Sequence, residues 1–159
     1  AGSIESMPTV IDLTGTAQLT VVIACHTRDA VGSPRVWEHG NPYYDFNGAS
    51  VAFSGGLATV ATGAGSAASI TYRTANTGLS GLNVMATAFD RATNPDSIRL
   101  HLQSGVVTSF SASGDGDAAG NYGANVSQLG SRGNGTSLPI DGGVACAIWI
   151  PARSRSASM

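Results

Sequence analysis

Ser50-Val51-Ala52-Phe53-Ser54-Gly55-Gly56-Leu57-Ala58-Thr59-Val60-Ala61 holds two short runs of alternating apolar residues separated by a Gly-Gly pair. Two adjacent glycines supply the positive φ angles of a two-residue type I′ or II′ turn, so the stretch predicts a β-hairpin. Pairing Ser54 with Leu57 sets Phe53 opposite Ala58 and Val51 opposite Val60, and opposed residues share a face. One surface is then Val51, Phe53, Ala58 and Val60; the other carries Ser50, Ala52, Ser54, Leu57 and Thr59. The apolar side chains are small, and the hairpin reads as scaffold.

Working outward, Leu19 to His26 is rich in β-branched residues and apolar on both faces, which predicts a central strand. Before it, Ile4 to Met7 and Val10 to Leu13 are split by Pro8 and suggest an N-terminal arm over 1–16 leading to an edge strand. Residues 27–48 contain Pro34, Gly40, Pro42 and Gly48 and read as a long connection, with Val36-Trp37 and Tyr43-Tyr44-Asp45-Phe46 embedded in it. Beyond the hairpin, Gly63-Ala64-Gly65-Ser66 reads as a glycine-rich turn and Ser69 to Arg73 as a strand. Asn76 to Gly81 is a turn cluster, Leu82 to Phe89 a further strand, and Asn94-Pro95-Asp96 a strong turn. Ile98 to Gln103 alternates cleanly, with three aliphatic residues inward and three polar ones outward. Val106 to Phe110 suits the returning arm of a hairpin. Residues 111–137 read as one long loop of Gly, Ser, Ala, Asn and Asp. Gly143 to Ile150 reads as a last buried strand stopped by Pro151, with a polar tail over 152–159.

No stretch shows a dozen residues of helical periodicity, and no internal repeat has a fixed period. The pattern predicts an all-β protein: an antiparallel β-sandwich or jelly roll of about eight strands, with long loops and extended termini, its single domain spanning 17–151.

The composition bounds the function. Of 159 residues only 11% are charged, all eight basic residues are arginine, and 42% are hydrophobic, so the chain can build a core. Glycine, at 21 residues, exceeds the roughly 7% of average usage and implies many turns. So little charge is poor protection against association and points to an assembled protein, a homo-oligomer. A net charge of −2 gives no basic field for direct nucleic-acid binding. The apolar run Leu19 to Cys25 is far shorter than the ~20 residues of a membrane-spanning helix. No charged segment followed by a signal-like apolar core opens the chain, and Ala1 is what removal of an initiator methionine would leave, as would cleavage of a precursor. Cys25 and Cys146 each lie in an apolar run, which predicts buried free thiols and a reducing site of synthesis.

Few residues offer chemistry. Gly63-Ala64-Gly65-Ser66-Ala67-Ala68 fits a dinucleotide-binding pattern, but the strand-like Ser69 to Arg73 behind it leaves no room for the crossover helix. Cys25 and His26 are adjacent on a strand and cannot chelate one metal together, and His101 reads as a solvated surface histidine. Trp37-Glu38-His39 is the best acid/base candidate, set against a plain aromatic anchor with two exposed polar neighbours; no nucleophile-elbow motif is present. Asp115-Gly116-Asp117 with Asn121 resembles a sparse calcium loop but lacks its closing glutamate. The sequons at Asn125 and Asn134 matter only in a eukaryotic secretory setting. No cofactor, no metal and no enzymatic activity is expected.

Trp37, Tyr43, Tyr44 and Phe46 could stack on sugar rings, fill a core otherwise made of small residues, or line a subunit contact. Arg153 and Arg155 in the tail suit a neighbouring acidic surface. The leading expectation is a non-enzymatic structural protein of a bacteriophage virion: a capsid, capsid-decoration or tail-associated protein. It would be made in a host cytoplasm and assemble through its termini and loops with itself and other virion proteins. The alternative is a carbohydrate-binding or receptor-binding β-sandwich module using the aromatic loop 35–48.

Overall fold

The structure, a computed structural model, describes residues 9–29, 34–40, 47–54, 59–66, 69–76, 81–91, 97–102, 105–106, 111–114, 121–131 and 140–152. They form β1 (Thr9–Asp12), β2 (Gln18–Asp29), β3 (Arg35–His39), β4 (Gly48–Ser54), β5 (Thr59–Ser66) and β6 (Ser69–Asn76). After these come β7 (Gly81–Asp90), β8 (Ser97–Leu102), β9 (Gly105–Val106), β10 (Ser111–Gly114), β11 (Ala124–Leu129) and β12 (Asp141–Pro151). All pairings are antiparallel. One sheet has the order β1-β11-β3-β4-β5-β6-β10, the other β12-β2-β7-β8-β9. The expected β-sandwich is what forms.

The core lies between the two sheets. Trp37, Ala49, Val51 and Phe53 come from the seven-stranded sheet; Leu19, Val21, Ile23, Cys25, Met85, Phe89, Ile98 and Leu100 come from the five-stranded one. Leu13, Tyr122 and Ile140 join from the connections. Each large side chain sealed in this way contributes roughly 1.5–3 kcal/mol.

β2 is central in its sheet, between β12 and β7, as its doubly apolar sequence suggests. β8 buries Ile98 and Leu100 and exposes Arg99 and His101, also as expected. The β4–β5 hairpin exists, but its register differs from the one the Gly-Gly pair suggests. Phe53 pairs with Val60 and Ser54 with Thr59. Four residues, 55–58, therefore connect the strands instead of two.

Other segments depart further from the sequence reading. Residues 27–48 are not one connection: β2 runs to Asp29, β3 occupies 35–39 and β4 begins at Gly48. Gly63 to Ser66 is no turn but the end of β5, with Gly63 paired to Ser50 on one side and Tyr72 on the other. The predicted loop 111–137 contains β10 and β11, and β11 pairs with both β1 and β3. β12 is not buried but forms the edge of its sheet, with Ile148 and Ile150 half exposed. On β7 the core takes Asn83, Met85, Thr87 and Phe89, whereas the more aliphatic face with Leu82 and Val84 looks outward. Both cysteines are free thiols; Cys25 is buried as expected, and Cys146 is exposed. The turn 94–96 lies outside the described residues.

Candidate functional site

β3 was the strongest chemical candidate in the sequence, and the structure divides it between two faces. Trp37 and His39 point into the sandwich; Glu38 alternates to the other side, as successive strand residues must. Glu38 and His39 therefore cannot act together as acid and base, and neither is an exposed loop residue, being 1% and 0% exposed.

On the inner side, His39 Nε2 lies 2.9 Å from the Gly123 carbonyl and Nδ1 lies 2.9 Å from Ser127 Oγ. A carbonyl only accepts, so Nε2 carries the proton and donates, and the Ser127 hydroxyl donates to Nδ1. Burial lowers the His39 pKa, opposed by the Gly123 hydrogen bond and reinforced by the nearby positive charge of Arg91. The imidazole is thus held neutral. Trp37 stacks on it at 6.4 Å, Tyr122 meets its edge at 6.3 Å, and Phe89 lies 6.2 Å beyond Trp37. Arg91 caps the row, with Cζ 5.0 Å from the Tyr122 ring centre and Nη1 donating to the Gly48 carbonyl at 3.4 Å. This serine–histidine pair is sealed from solvent and serves the packing of the sandwich. Trp37 is likewise a core residue here, not a surface platform.

On the outer side, the register sets Gln128, Glu38 and Ser50 side by side across β11, β3 and β4. Arg35 Nη1 donates to Ser50 Oγ at 3.4 Å. Glu38, Ser50 and Gln128 are all nearly fully buried, and Glu38, Gln128 and Arg35 each engage in further contacts within the fold. This polar row is interior as well.

Open chemistry lies on the other sheet. A cleft of about 220 Å³ is lined by Gln18, Leu19, Thr20, Ala88, Phe89, Asp90, Arg99, Ile150 and Ala152. Strand pairing builds it. Ile150, Thr20, Ala88 and Arg99 stand in one row across β12, β2, β7 and β8, and Gln18 faces Asp90 at the end of the sheet. Small residues at the two middle positions, Thr20 and Ala88, leave a floor between the Ile150 wall and the Arg99 guanidinium. Gln18 Nε2 donates to Asp90 Oδ2 at 3.0 Å, which presents the pair as a fixed donor–acceptor edge. Arg99 is exposed and has no hydrogen-bond or ion-pair partner among the described residues. An aliphatic wall with a few convergent polar groups is the usual composition of a small-molecule cleft, here sized for one small ring.

None of these cleft residues stood out in the sequence. Gln18, Asp90 and Arg99 are 72 and 9 positions apart, and only the β2–β7–β8 register brings them together. Of the residues singled out instead, Trp37 is in the core, whereas Tyr43, Tyr44, Phe46, Arg153, Arg155, Asp115 and Asp117 lie outside the described residues. Among the described residues no three His, Cys, Asp or Glu side chains converge as a metal site.

No protein-family model matches the chain, and no curated protein matches it in sequence. Solved structures do resemble it. The CBM40 of the Ruminococcus gnavus IT-sialidase bound to α2,3-sialyllactose superposes with a TM-score of 0.58 at 13% identity, covering 96% of this chain and 94% of that one. The same module bound to α2,6-sialyllactose gives 0.55 at 12% identity, over 96% and 94% of the two chains. A further structure of this CBM40 gives 0.57 at 12%, over 94% and 91%. These neighbours are carbohydrate-binding modules, and at this identity the likeness is one of fold.

Proposed function

We propose that this chain is a non-catalytic carbohydrate-binding module whose ligand occupies the cleft at the end of the five-stranded sheet. The observation that carries this reading is the likeness, over nearly the full length of both chains, to β-sandwich modules seen with sialyllactose. The cleft supplies matching chemistry. Asp90 and Gln18 offer an acceptor and a donor for sugar hydroxyls, Ile150 offers an aliphatic surface for a ring face, and Arg99 offers a guanidinium for a carboxylate. An acidic monosaccharide at a glycan end is therefore the ligand class the site fits.

Titration calorimetry with sialylated and neutral oligosaccharides tests it. Binding of the acidic glycans, weakened roughly tenfold or more by Arg99→Ala for loss of a charge-assisted contact, is the expected result. Silence across a glycan array, or binding indifferent to both Arg99→Ala and Asp90→Asn, would overturn the reading.

A second reading, a structural component of a bacteriophage virion, is favoured by the lysine-free, low-charge sequence and by the apolar residues exposed on β7 and β12. Co-purification with a larger particle, together with silence on the glycan array, is the outcome that would select it.

A further inference from the structure

β12 is an edge strand of eleven residues whose far side has no neighbouring strand among those described. Such an edge presents a row of backbone donors and acceptors ready to pair with another chain, and proteins usually guard it with charge, proline or a bulge. Here the guards stand only at the ends. The register with β2 shifts between Val144 and Cys146, marking a bulge, and Pro151 closes the strand. Between them, Cys146-Ala147-Ile148-Trp149-Ile150 forms a regular ladder with Ala24 through Thr20, and no charged residue occurs from Gly142 to Ala152.

We infer that this segment pairs antiparallel with the same segment of a second copy of the chain, about a two-fold axis at Ile148. A two-fold through one residue of an antiparallel pair matches positions symmetrically about it, so the segment dictates its own contacts. Ile148 meets its own counterpart. Cys146 meets the partner's Ile150, and Ala147 meets the partner's Trp149. On the outward face the exposed apolar groups, Cys146, Ile148 at 50% and Ile150 at 52% exposure, then cover one another. On the inward face a small residue lies opposite a large one. Cross-strand aliphatic and aromatic pairs of this kind each contribute a few tenths of a kcal/mol to about 1 kcal/mol. A register centred on Cys146 would instead run the bulge into the ladder and set outward residues against inward ones, and one centred on Trp149 would bring Pro151, which lacks an amide hydrogen, into the ladder opposite Ala147. The result is a continuous ten-stranded sheet across two copies.

Sedimentation velocity over a concentration series, combined with cysteine cross-linking, decides this. The wild-type chain is expected to show a monomer–dimer equilibrium, and Ile148→Lys, which sets like charges opposite each other, to weaken it roughly tenfold or more. In a Cys146→Ser background, Ile148→Cys should form a disulfide-linked dimer on mild oxidation, because directly opposed Cβ atoms approach within disulfide reach. Val22→Cys, on the same face but one strand inward, should not. A wild-type chain monomeric at every concentration, an Ile148→Lys variant that associates as well as wild type, or equal cross-linking at 148 and 22 would overturn the proposal. Ile148 and Cys146 are exposed and Val22 lies on the outer face outside the core, so these substitutions leave the packing between the sheets intact, and the result is independent of whether the cleft binds a glycan.

Discussion

Ser127 is an ordinary serine in a strand that reads as loop, yet its hydroxyl is the donor that satisfies Nδ1 of His39 inside the aromatic row. Removing it leaves Nδ1 a buried acceptor with no donor, at a cost of about 1–3 kcal/mol. Ser127→Ala should therefore be destabilised by that amount in chemical denaturation at pH 8. His39 itself makes stability depend on pH. Burial disfavours the imidazolium, so folded His39 takes up a proton at lower pH than in the unfolded chain, whose histidine has the ordinary value of 6.5. Below pH 6.5 the unfolded state binds more protons, and stability falls as pH falls, by at most about 1.4 kcal/mol per pH unit from this group. The loss stops growing once pH passes below the folded pKa. The difference in stability between wild type and His39→Leu, followed from pH 8 to pH 5, should show this slope; a difference constant with pH would contradict it.

Elements were legible where hydrophobic period and burial agreed. β8 satisfies that condition, with Ile98 and Leu100 recurring every second residue and facing the core, whereas β2 was legible as an apolar run on both faces, which suits an interior strand. β3 escaped because Val36, Trp37, Glu38 and His39 are all buried, so no alternation marks the strand. β11 escaped because its buried residues, Ser127 and Gln128, are polar, and their burial is made tolerable only by partners distant in sequence. The glycines of Gly63 and Gly65 imitate a turn, although long pairing partners on both sides hold them in β5. The cleft was invisible for a related reason: it is a property of four strands in register, not of any one. Even at the hairpin, where strand identity was plain, turn chemistry gave the pairing two residues too tight. Nuclear Overhauser contacts across β4 and β5 check this directly. The backbone of Phe53 should lie opposite Val60, and a strong contact between the α-protons or amides of Phe53 and Ala58 would restore the shorter turn.

At the scale of the whole molecule, the cleft and the β12 edge share Ile150. It lines the cleft on one side and, in the proposed two-fold, rests against the partner's Cys146. Two copies joined through β12 would present their clefts on the same outward face of one sheet, at a separation fixed by strand pairing. If the cleft takes glycan ends as proposed, such a pair would bind a surface bearing many of them with an effective concentration that a single copy lacks, a gain commonly of about 10²–10⁴. For a soluble monovalent glycan no such gain exists. Ile148 is absent from the cleft lining, so Ile148→Lys should leave calorimetric affinity for a free oligosaccharide close to wild type while sharply reducing retention on a densely glycosylated surface. Surface plasmon resonance at high and low ligand density separates the two effects. Equal losses at both densities would mean that the edge substitution had damaged the cleft itself. A loss confined to high density would tie attachment through the 220 Å³ cleft to the pairing of two sheets.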